Sequence, residues 1–498
     1  MGLEQFTAYS DTVSLNNILF ILLSTFSLVG FLSLNRIYFL DRRLEQNFLI
    51  IRIVILLTYV FILAAFINFF IPLNDYISLF FYLPGLAIFF NQFFKKQLIL
   101  EPKWILLSIL FIFFYGFNSG YNNDFDYHSH HILLYKNYNL LEFNNYIVDG
   151  RVKYNSAYLL LNAITYLSFL PFSVKFLSSF IFVIFILDIR NYLIVKKISV
   201  NLKLLSLFFV ISVFIVLSKF KNIGTDYIAH IIFLSLLLFY CYVWQNDKKF
   251  FLSKRFLFLI SITFTFMIVL KISMILSLFI GIHYLIIIYQ NKKIKNLLNV
   301  GMAPSLLMIL LWGLQNIELS KCLIYPISFF CFVDEASMAP IIFEHNMINL
   351  FAKSVKINYW DEPIQKLIEF NQFPNWFFFW LNDHFLKLLE KFIPIILIFY
   401  LSIFKVIKKM SFSNIQMNIE YPKIFGFVFF IIVIIWFLQA PALRFGFSYL
   451  AVGLYFISIS PLKIFKFSFI DNLKDNYFTR IVDIFIVLFF IYQILRII

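Results

Sequence analysis

The stretch FLIIRIVILLTYVFILAAFINFFI, residues 48–71, decides the fold class of this chain. Its single charged residue is Arg52, near the beginning of the stretch. An α-helix needs about 20 consecutive, mainly apolar residues to cross the hydrocarbon layer of a membrane. Residues 48–71 therefore predict a membrane-spanning helix.

The whole chain is rich in apolar residues and poor in charged ones, as this stretch is. Of its 498 residues, 62% are apolar, 21% are aromatic and 13% are charged, whereas a soluble domain averages about 25% charged residues. Too few polar residues remain to cover the surface of a soluble protein. The composition excludes a soluble enzyme, a disordered chain and a disulfide scaffold. The unbroken apolar runs exclude an outer-membrane barrel, whose strands alternate apolar and polar residues.

We predict an all-α, polytopic membrane protein with about 13–14 transmembrane helices. The segment Met1–Val13 lacks the basic front of a signal peptide, so the first apolar run is expected to be retained. Fourteen apolar runs are interpreted as helices, at residues 15–35, 48–71, 76–94, 103–117, 172–190, 203–218, 226–243, 255–272, 274–290, 299–314, 390–406, 423–439, 445–461 and 480–496.

The domain organisation is a single integral membrane domain over residues 1–498. Its successive parts are four helices in 1–117, a first long loop in 118–170, a helical core in 171–314, a second long loop in 315–389 and C-terminal helices in 390–498. Within the first loop, residues 155–169 are apolar but short, so we expect a helix lying at the membrane interface or a half-span.

The basic residues predict the orientation in the membrane. The net charge is +15, and most of the 41 Lys and Arg residues cluster in short loops between apolar runs, which favours cytoplasmic loops over a nucleic-acid surface. The positive-inside rule then places both long loops, 118–170 and 315–389, and both termini outside the cytoplasm. Chemistry is therefore expected at the extracytoplasmic face.

The first loop carries Asp124, Asp126, His128, His130 and His131 within eight residues. Adjacent carboxylates and imidazoles can perform general acid/base catalysis or hold a divalent ion. The alternative is a hydrated loop in which Asp126 caps a helix that starts at the next residue. A closed zinc site is a weaker interpretation, because no cysteine lies near these residues.

Three further ionisable residues flank predicted spans. Asp226 either caps the next helix or supplies a second carboxylate at the same surface. Lys271 interrupts the apolar run FMIVLKISMIL, where it either reaches water from a turn or binds phosphate or a carboxylate. Arg444, in QAPALRFG, suits a bidentate phosphate contact, and the alternative is a structural pair with a loop acid.

The second loop contains Tyr325-Pro326 and ends in FPNWFFFWLNDHFLKLLEKF, residues 373–392. This aromatic, amphipathic stretch predicts an interfacial helix with Trp376 and Trp380 at the headgroup level. Such a helix either leans over a lipid-borne substrate or only anchors the loop. Cys322 and Cys331 are expected as free thiols, the alternative being a disulfide if the loop faces an oxidising compartment.

Several functional signals are absent from the sequence. There is no Walker loop, no dinucleotide-binding glycine motif and no nucleophile elbow. No internal repeat supports a transporter built from inverted halves.

A series of short motifs runs in order along most of the chain. The motifs are Tyr127-His128, Gly150-Arg151, Tyr154-Asn155-Ser156, Asp226, Leu270-Lys271-Ile272-Ser273, Tyr325-Pro326, Ala440-Pro441 and Arg444-Phe445-Gly446. Their order resembles a poorly characterised family of polytopic bacterial membrane proteins related to the GT-C class of membrane glycosyltransferases. The chain departs from that pattern at Asp149, where His is expected, and at Ala442, where an acid is expected.

The resemblance implies an inverting sugar transfer from a polyprenyl-phosphate carrier to an acceptor hydroxyl, in surface polysaccharide or glycolipid synthesis. Asp126, or alternatively Asp124, is then the base, and His128 shares the proton handling. The remaining substrate- and phosphate-binding residues are Asp226, Lys271, Arg444, Arg151 and Tyr325.

The resemblance also implies the partners and the location. The partners are a polyprenyl-phosphate-linked sugar donor, a glycan or glycolipid acceptor and membrane lipids, with no nucleic acid. No cofactor is certain and a divalent metal is possible. The location is the bacterial cytoplasmic (inner) membrane, with the active face extracytoplasmic. The alternatives are a polymerase of lipid-linked oligosaccharides and a flippase or transporter of lipid-linked sugars.

Overall fold

The computed structural model describes residues 15–34, 48–118, 123–145, 150–168, 176–194, 199–217, 226–293, 300–355, 362–407, 423–464 and 475–495. Over these ranges the protein is all-helical and contains no β-strand, apart from an isolated bridge between Cys322 and Cys331. The predicted fold class is confirmed at this level.

Eighteen α-helices of eight or more residues occur in the described ranges. They are α1 (Leu15–Leu32), α2 (Leu49–Asn68), α3 (Asp75–Phe94), α4 (Pro102–Asn118), α5 (Asn123–Asn137), α6 (Ala157–Thr165), α7 (Phe176–Ile194), α8 (Val200–Leu217), α9 (Asp226–Asn246), α10 (Lys254–Leu270), α11 (Leu278–Gln290), α12 (Ala303–Ser320), α13 (Glu335–Ala352), α14 (Ile364–Asn371), α15 (Leu386–Ile407), α16 (Lys423–Gln439), α17 (Leu443–Ile464) and α18 (Asp475–Leu495).

Each of the fourteen predicted runs coincides with one of these helices. By length and composition, five described segments can cross a membrane: α2, α3, Phe176–Leu193 of α7, Tyr227–Asn246 of α9 and Ile272–Gln290. The last joins a 3₁₀ segment, Ile272–Ser277, to α11. The larger number of about 13–14 spans stays a prediction.

The two segments predicted as long loops are largely helical, because they contain α5, α6, α13 and α14. Helix α5 begins at Asn123, so Asp126 lies inside its first turn and does not cap a helix starting at Tyr127. Helix α6 is short, as predicted, but Ala157 to Ile164 are all buried. Other helices enclose it, and its position at the interface or as a half-span stays a prediction.

Helices α1 and α3 pack with their backbones in close contact. A Cβ atom on Gly85 would lie 2.7 Å from the Ser27 carbonyl oxygen, and one on Gly30 would lie 2.8 Å from the Phe89 nitrogen. Small residues at such crossings let apolar helices approach closely. These two glycines therefore set the distance between α1 and α3.

Replacing Gly85 by Leu is expected to separate α1 from α3 and to destabilise the protein by about 2 kcal/mol or more, the usual scale of overpacking. The melting temperature of the purified protein in detergent measures the effect. Gly426→Leu is the matched control, since a Cβ atom on this helical glycine meets nothing within 4 Å. Equal melting temperatures for the two variants would contradict the close contact.

One end of the helical bundle is organised around Asp188. Its carboxylate accepts the backbone N–H groups of Leu49, at 2.5 Å, and Ile50, at 2.9 Å, and so caps the start of α2 from α7. Nearby on α7, Arg190 donates to Asp483 of α18 at 2.8 Å. We call this the Asp188 end.

Helix α9 connects the Asp188 end to the opposite end. Its Tyr242 ring lies 5.5 Å from the Phe48 ring beside the start of α2, whereas its His230 contacts the backbone of Arg444. A helix of 21 residues is about 31 Å long at 1.5 Å per residue, which matches the thickness of a hydrocarbon layer. We call the opposite end the Arg444 end.

The cysteine expectation is wrong, because Cys322 and Cys331 form a disulfide. The two residues face each other in the isolated bridge, where Leu323 N donates to Phe330 O at 2.8 Å and Phe332 N donates to Lys321 O at 2.8 Å. The sequence shows the two cysteines, but it does not predict the backbone bridge that brings them together.

The two tryptophans of the predicted interfacial helix are buried by protein. Trp376 and Trp380 are 1% and 6% exposed, and they form a small core with Leu350, Val355 and Leu367. Trp380 also donates through Nε1 to the carbonyl of Pro441 at 2.8 Å. The two rings therefore pack against side chains of the second long segment, and their position at the headgroup level stays a prediction.

Candidate functional site

Two cations meet where α10 ends and α17 begins. Lys271 directly follows the last residue of α10, and its Nζ donates to the carbonyl oxygen of Arg444 at 2.6 Å. The Lys271 ammonium lies 4.6 Å from the centre of the Phe445 ring, and the Arg444 guanidinium carbon lies 4.8 Å from it. Both cations therefore contact one aromatic ring.

Lys271 is 8% exposed, so its side chain does not extend to water. This excludes the interpretation in which it snorkels from a turn. Its ammonium fixes the backbone of Arg444, whose own side chain is exposed. Lys271 therefore supports the Arg444 turn, and Arg444 is the exposed cation of the two.

His230 of α9 supports the same turn from the other side. Its Nε2 lies 3.0 Å from the Arg444 carbonyl oxygen, and its Nδ1 lies 2.8 Å from Ser448 Oγ. A carbonyl only accepts hydrogen bonds, so Nε2 is the donor. We name Lys271, Arg444, Phe445, His230 and Ser448 the Arg444 cluster; the sequence analysis missed His230, whose signal is its position one turn after Asp226.

The first turn of α17 adds a partial positive charge to the cluster. Arg444 is the second residue of this helix, and a helix N-terminus favours anions through its unpaired N–H groups and its dipole. Close packing fixes the turn, since a Cβ atom on Gly446 would lie 2.5 Å from Cδ1 of Trp436.

His384 lies close enough to Arg444 to respond to its charge. Burial lowers the pKa of His384, and Lys387 and Arg444 lower it further, whereas Asp383 raises it. Its Nε2 is 2.7 Å from the hydroxyl oxygen of Ser354. A neutral imidazole is therefore the prevailing form beside Arg444 at neutral pH.

The motif Tyr154-Asn155-Ser156 connects α5 to the Arg444 cluster. Ser156 Oγ donates to the carbonyl of Leu270, the residue before Lys271, at 2.7 Å. The Asn155 side-chain oxygen accepts from Tyr135 of α5 at 2.9 Å. Motifs far apart in sequence thus meet at the Arg444 end.

Tyr325 lies in a second group of polar side chains. Its hydroxyl donates to Glu344 Oε2 at 2.5 Å, and Tyr154 donates to Glu344 Oε1 at 2.7 Å. Burial and the neighbouring Glu344 carboxylate raise the pKa of Tyr325. Sequence reasoning missed Glu344, because no motif or spacing within α13 marks it.

The histidines of the first segment lie on α5. His128 is 6% exposed and His131 is fully buried, with its ring stacked on Tyr135 at 4.9 Å. Burial, with smaller contributions from His128 and His130, lowers the pKa of His131 to about 3. His131 is therefore neutral under physiological conditions.

The helix register separates the two candidate bases. At 3.6 residues per turn, Asp124 shares one face of α5 with the buried His128 and His131. Asp126 shares another face with His130, which is only partly buried. The side chains of Asp124 and Asp126 themselves lie outside the described residues.

Two other predicted residues have described backbones but undescribed side chains. Arg151 lies in the 3₁₀ segment Gly150–Lys153, just before Tyr154. Asp226 begins α9, one turn before His230, and so lies at the Arg444 end. Among the described residues, no group of three His, Cys, Asp or Glu side chains could hold a metal ion.

Comparisons with known proteins match one family. No curated protein and no solved structure matches this chain. The sequence profile of one family matches residues 13–451, which covers the cationic cluster, Glu344 and the helices that position them. The chain therefore belongs to the family described as "Domain of unknown function (DUF8201)".

Proposed function

We propose that the protein is a GT-C-like membrane glycosyltransferase. It transfers a sugar from a polyprenyl-phosphate carrier to an acceptor hydroxyl at the extracytoplasmic face, in surface polysaccharide or glycolipid synthesis. The observation that carries the proposal is the Arg444 cluster, in which an exposed guanidinium stands on a helix N-terminus above a buried lysine.

The chemistry of the leaving group explains the need for this cluster. When the bond to the anomeric carbon breaks, negative charge develops on the lipid phosphate. Fixed positive groups stabilise that charge best when they need no rearrangement. Arg444 offers a two-pronged contact to phosphate oxygens, and Lys271 and His230 hold its backbone in place.

Two independent features support an extracytoplasmic active face. The basic residues of the sequence favour the cytoplasmic side for the short loops. The disulfide between Cys322 and Cys331 lies in the segment that connects α12 to α13. Disulfides persist in oxidising compartments such as the bacterial periplasm. We therefore assign the protein to the bacterial inner membrane.

The base of the proposed reaction is an aspartate in the first turn of α5. We assign this role to Asp126, because its face of α5 includes the partly exposed His130. Asp124 is the alternative. In this assignment the acceptor hydroxyl loses its proton to the carboxylate while its oxygen attacks the anomeric carbon, and the lipid phosphate departs with the bonding electrons.

Arg444→Gln tests the proposal directly. With the guanidinium gone, we expect at least a tenfold loss of binding to undecaprenyl phosphate in nanodiscs, the scale of one charge-assisted contact. Binding of the uncharged lipid undecaprenol, measured in the same way, should not change. A strain carrying only the variant should accumulate lipid-linked sugar and lose surface glycan.

The matched control is Arg255→Gln, an exposed arginine in the first turn of α10, at the other end of that helix from Lys271. It should bind the phosphate lipid as the wild type does. Equal binding of undecaprenyl phosphate to wild type and to Arg444→Gln would overturn the assigned phosphate site.

A further inference from the structure

The two tyrosines and Glu344 form a compact group built from three distant segments. Tyr154 follows the 3₁₀ segment Gly150–Lys153, Tyr325 lies in the disulfide-closed loop, and Glu344 is on α13. The two rings are 5.2 Å apart at 66°, and all three residues are only partly buried. The group is therefore both ordered and accessible.

The hydrogen bonds leave the carboxylate able to accept more donors. An ionised carboxylate has about four lone-pair positions, and each oxygen of Glu344 accepts one phenol hydroxyl. A ligand hydroxyl can therefore add one bond to each oxygen. The aromatic faces beside the carboxylate suit the apolar faces of a sugar ring, since binding sites combine apolar walls with a few polar groups.

This group differs from the Arg444 cluster in the sign of its charge. A carboxylate repels phosphate, whereas a guanidinium attracts it. Lys153 Nζ lies 5.8 Å from the centre of the Tyr325 ring, but the hydrogen-bond acceptor of the group is the Glu344 carboxylate. A ligand that carries hydroxyl groups but no negative charge fits this carboxylate. The lipid phosphate and an uncharged sugar chain are therefore expected at different places.

A short stretch of chain connects the two places. Ser156 donates to the Leu270 carbonyl, immediately before Lys271, and Tyr154 is two residues from Ser156. Two residues of extended chain span about 7 Å at most. The Glu344 group is therefore tied, through Tyr154 and Ser156, to the end of α10 that supports Arg444.

We propose that Glu344, Tyr154 and Tyr325 bind hydroxyl groups of an uncharged glycan acceptor, an assignment that rests on the proposed transferase function. Glu344 and Tyr154 are binding residues that no sequence motif assigned to a ligand. The carboxylate accepts ligand hydroxyls, and the tyrosines hold it in position while their rings contact the sugar.

The test measures acceptor binding in the absence of donor. Oligosaccharides released from the cell's own surface glycan are separated into neutral and anionic pools and titrated into the wild-type protein in nanodiscs. We expect the neutral pool to bind, and Glu344→Gln to weaken that binding about tenfold or more, the scale of hydrogen bonds to a charged acceptor. Undecaprenyl phosphate binding should be unchanged.

Two further variants keep the test informative. Tyr154→Phe removes one hydrogen-bond donor to Glu344 but keeps the aromatic ring, so it should weaken neutral-glycan binding less than Glu344→Gln does. It also provides a second measurement of the site if Glu344→Gln folds poorly. Glu390→Gln is the control, because its side chain is 62% exposed on α15. It should bind as the wild type does.

The outcomes distinguish this subsite from the transferase itself. Binding of the anionic pool alone, or unchanged neutral-glycan binding in Glu344→Gln and Tyr154→Phe, would overturn the subsite. Normal neutral-glycan binding together with unaltered phosphate-lipid binding in Arg444→Gln would refute the transferase assignment and leave the glycan site standing.

Discussion

Asp126→Asn is expected to lower the rate of sugar transfer by about 100-fold or more, because the amide cannot take the proton from the acceptor hydroxyl. General-base catalysis contributes about 10²–10⁴-fold in enzymes. The measurement is single-turnover transfer from a polyprenyl-phosphate sugar to the neutral glycan pool in proteoliposomes. Binding of both substrates should persist, since the change replaces one side chain by another of the same size.

Asp124→Asn is the matched comparison, because it changes the same residue type two positions away on the other face of α5. Its transfer rate should fall by less than tenfold. Glu101→Gln, an exposed carboxylate whose side chain is 65% accessible, is the neutral control. If Asp124→Asn shows the larger loss, the base is Asp124. Full activity in both aspartate variants would remove the proposed role of α5.

Lys136→Met is expected to be the most destabilising single substitution among those considered. Lys136 Nζ lies 3.0 Å from Asp75 Oδ1 and also donates to Ser78 Oγ and the Tyr166 carbonyl, both at 2.9 Å. The lysine is 5% exposed and the aspartate 24%. The substitution removes the counter-charge of Asp75, which keeps only its hydrogen bonds from Ser168, and it removes the donor to Ser78 and Tyr166. Loss of one partner from a largely buried pair costs about 3 kcal/mol.

The double variant Asp75→Asn with Lys136→Met should regain most of the lost stability, since no unpaired charge then remains. The melting temperature in detergent measures both. Lys366→Met is the control, because its pair with Glu362 is on the surface and its side chain is 47% exposed. Such pairs contribute about 0–1 kcal/mol. Equal losses of melting temperature for Lys136→Met and Lys366→Met would mean that the Asp75–Lys136 pair does not stabilise the fold more than a surface pair does.

The helices were predictable from sequence because long apolar runs leave few other folds. The boundaries were least accurate where polar residues continue a helix. Helix α12 runs on to Ser320, and α5 includes the polar run from Asn123 to Tyr127. A hydropathy pattern does not predict these turns, because their residues are polar. They are helical because contacts with the rest of the bundle stabilise the helix there.

The side-chain environments were less predictable than the helices. An apolar side chain suits a lipid environment as well as a protein environment. The sequence therefore did not indicate that Trp376 and Trp380 would be buried by protein. Cys322 and Cys331 paired because a local bridge brings their backbones together. Spacing alone cannot specify such a bridge.

The candidate site was predictable in part. Arg444 and Lys271 were singled out because charges are rare in apolar surroundings, and they do meet. Glu344 was missed because its partners, Tyr154 and Tyr325, are 190 and 19 residues away in the chain. Only tertiary structure brings these three residues to one point.

The cap that Asp188 provides for α2 has a consequence for biosynthesis. The two N–H groups that it satisfies emerge from the ribosome 139 and 138 residues before it does, which at about 5–20 residues per second is a delay of about 7–28 s. During translation the start of α2 must find water or lipid headgroups as temporary partners. Once α7 has been synthesised, Asp188 can accept the two N–H groups at the start of α2. The polar contacts of the first half of the protein therefore impose an order on its assembly.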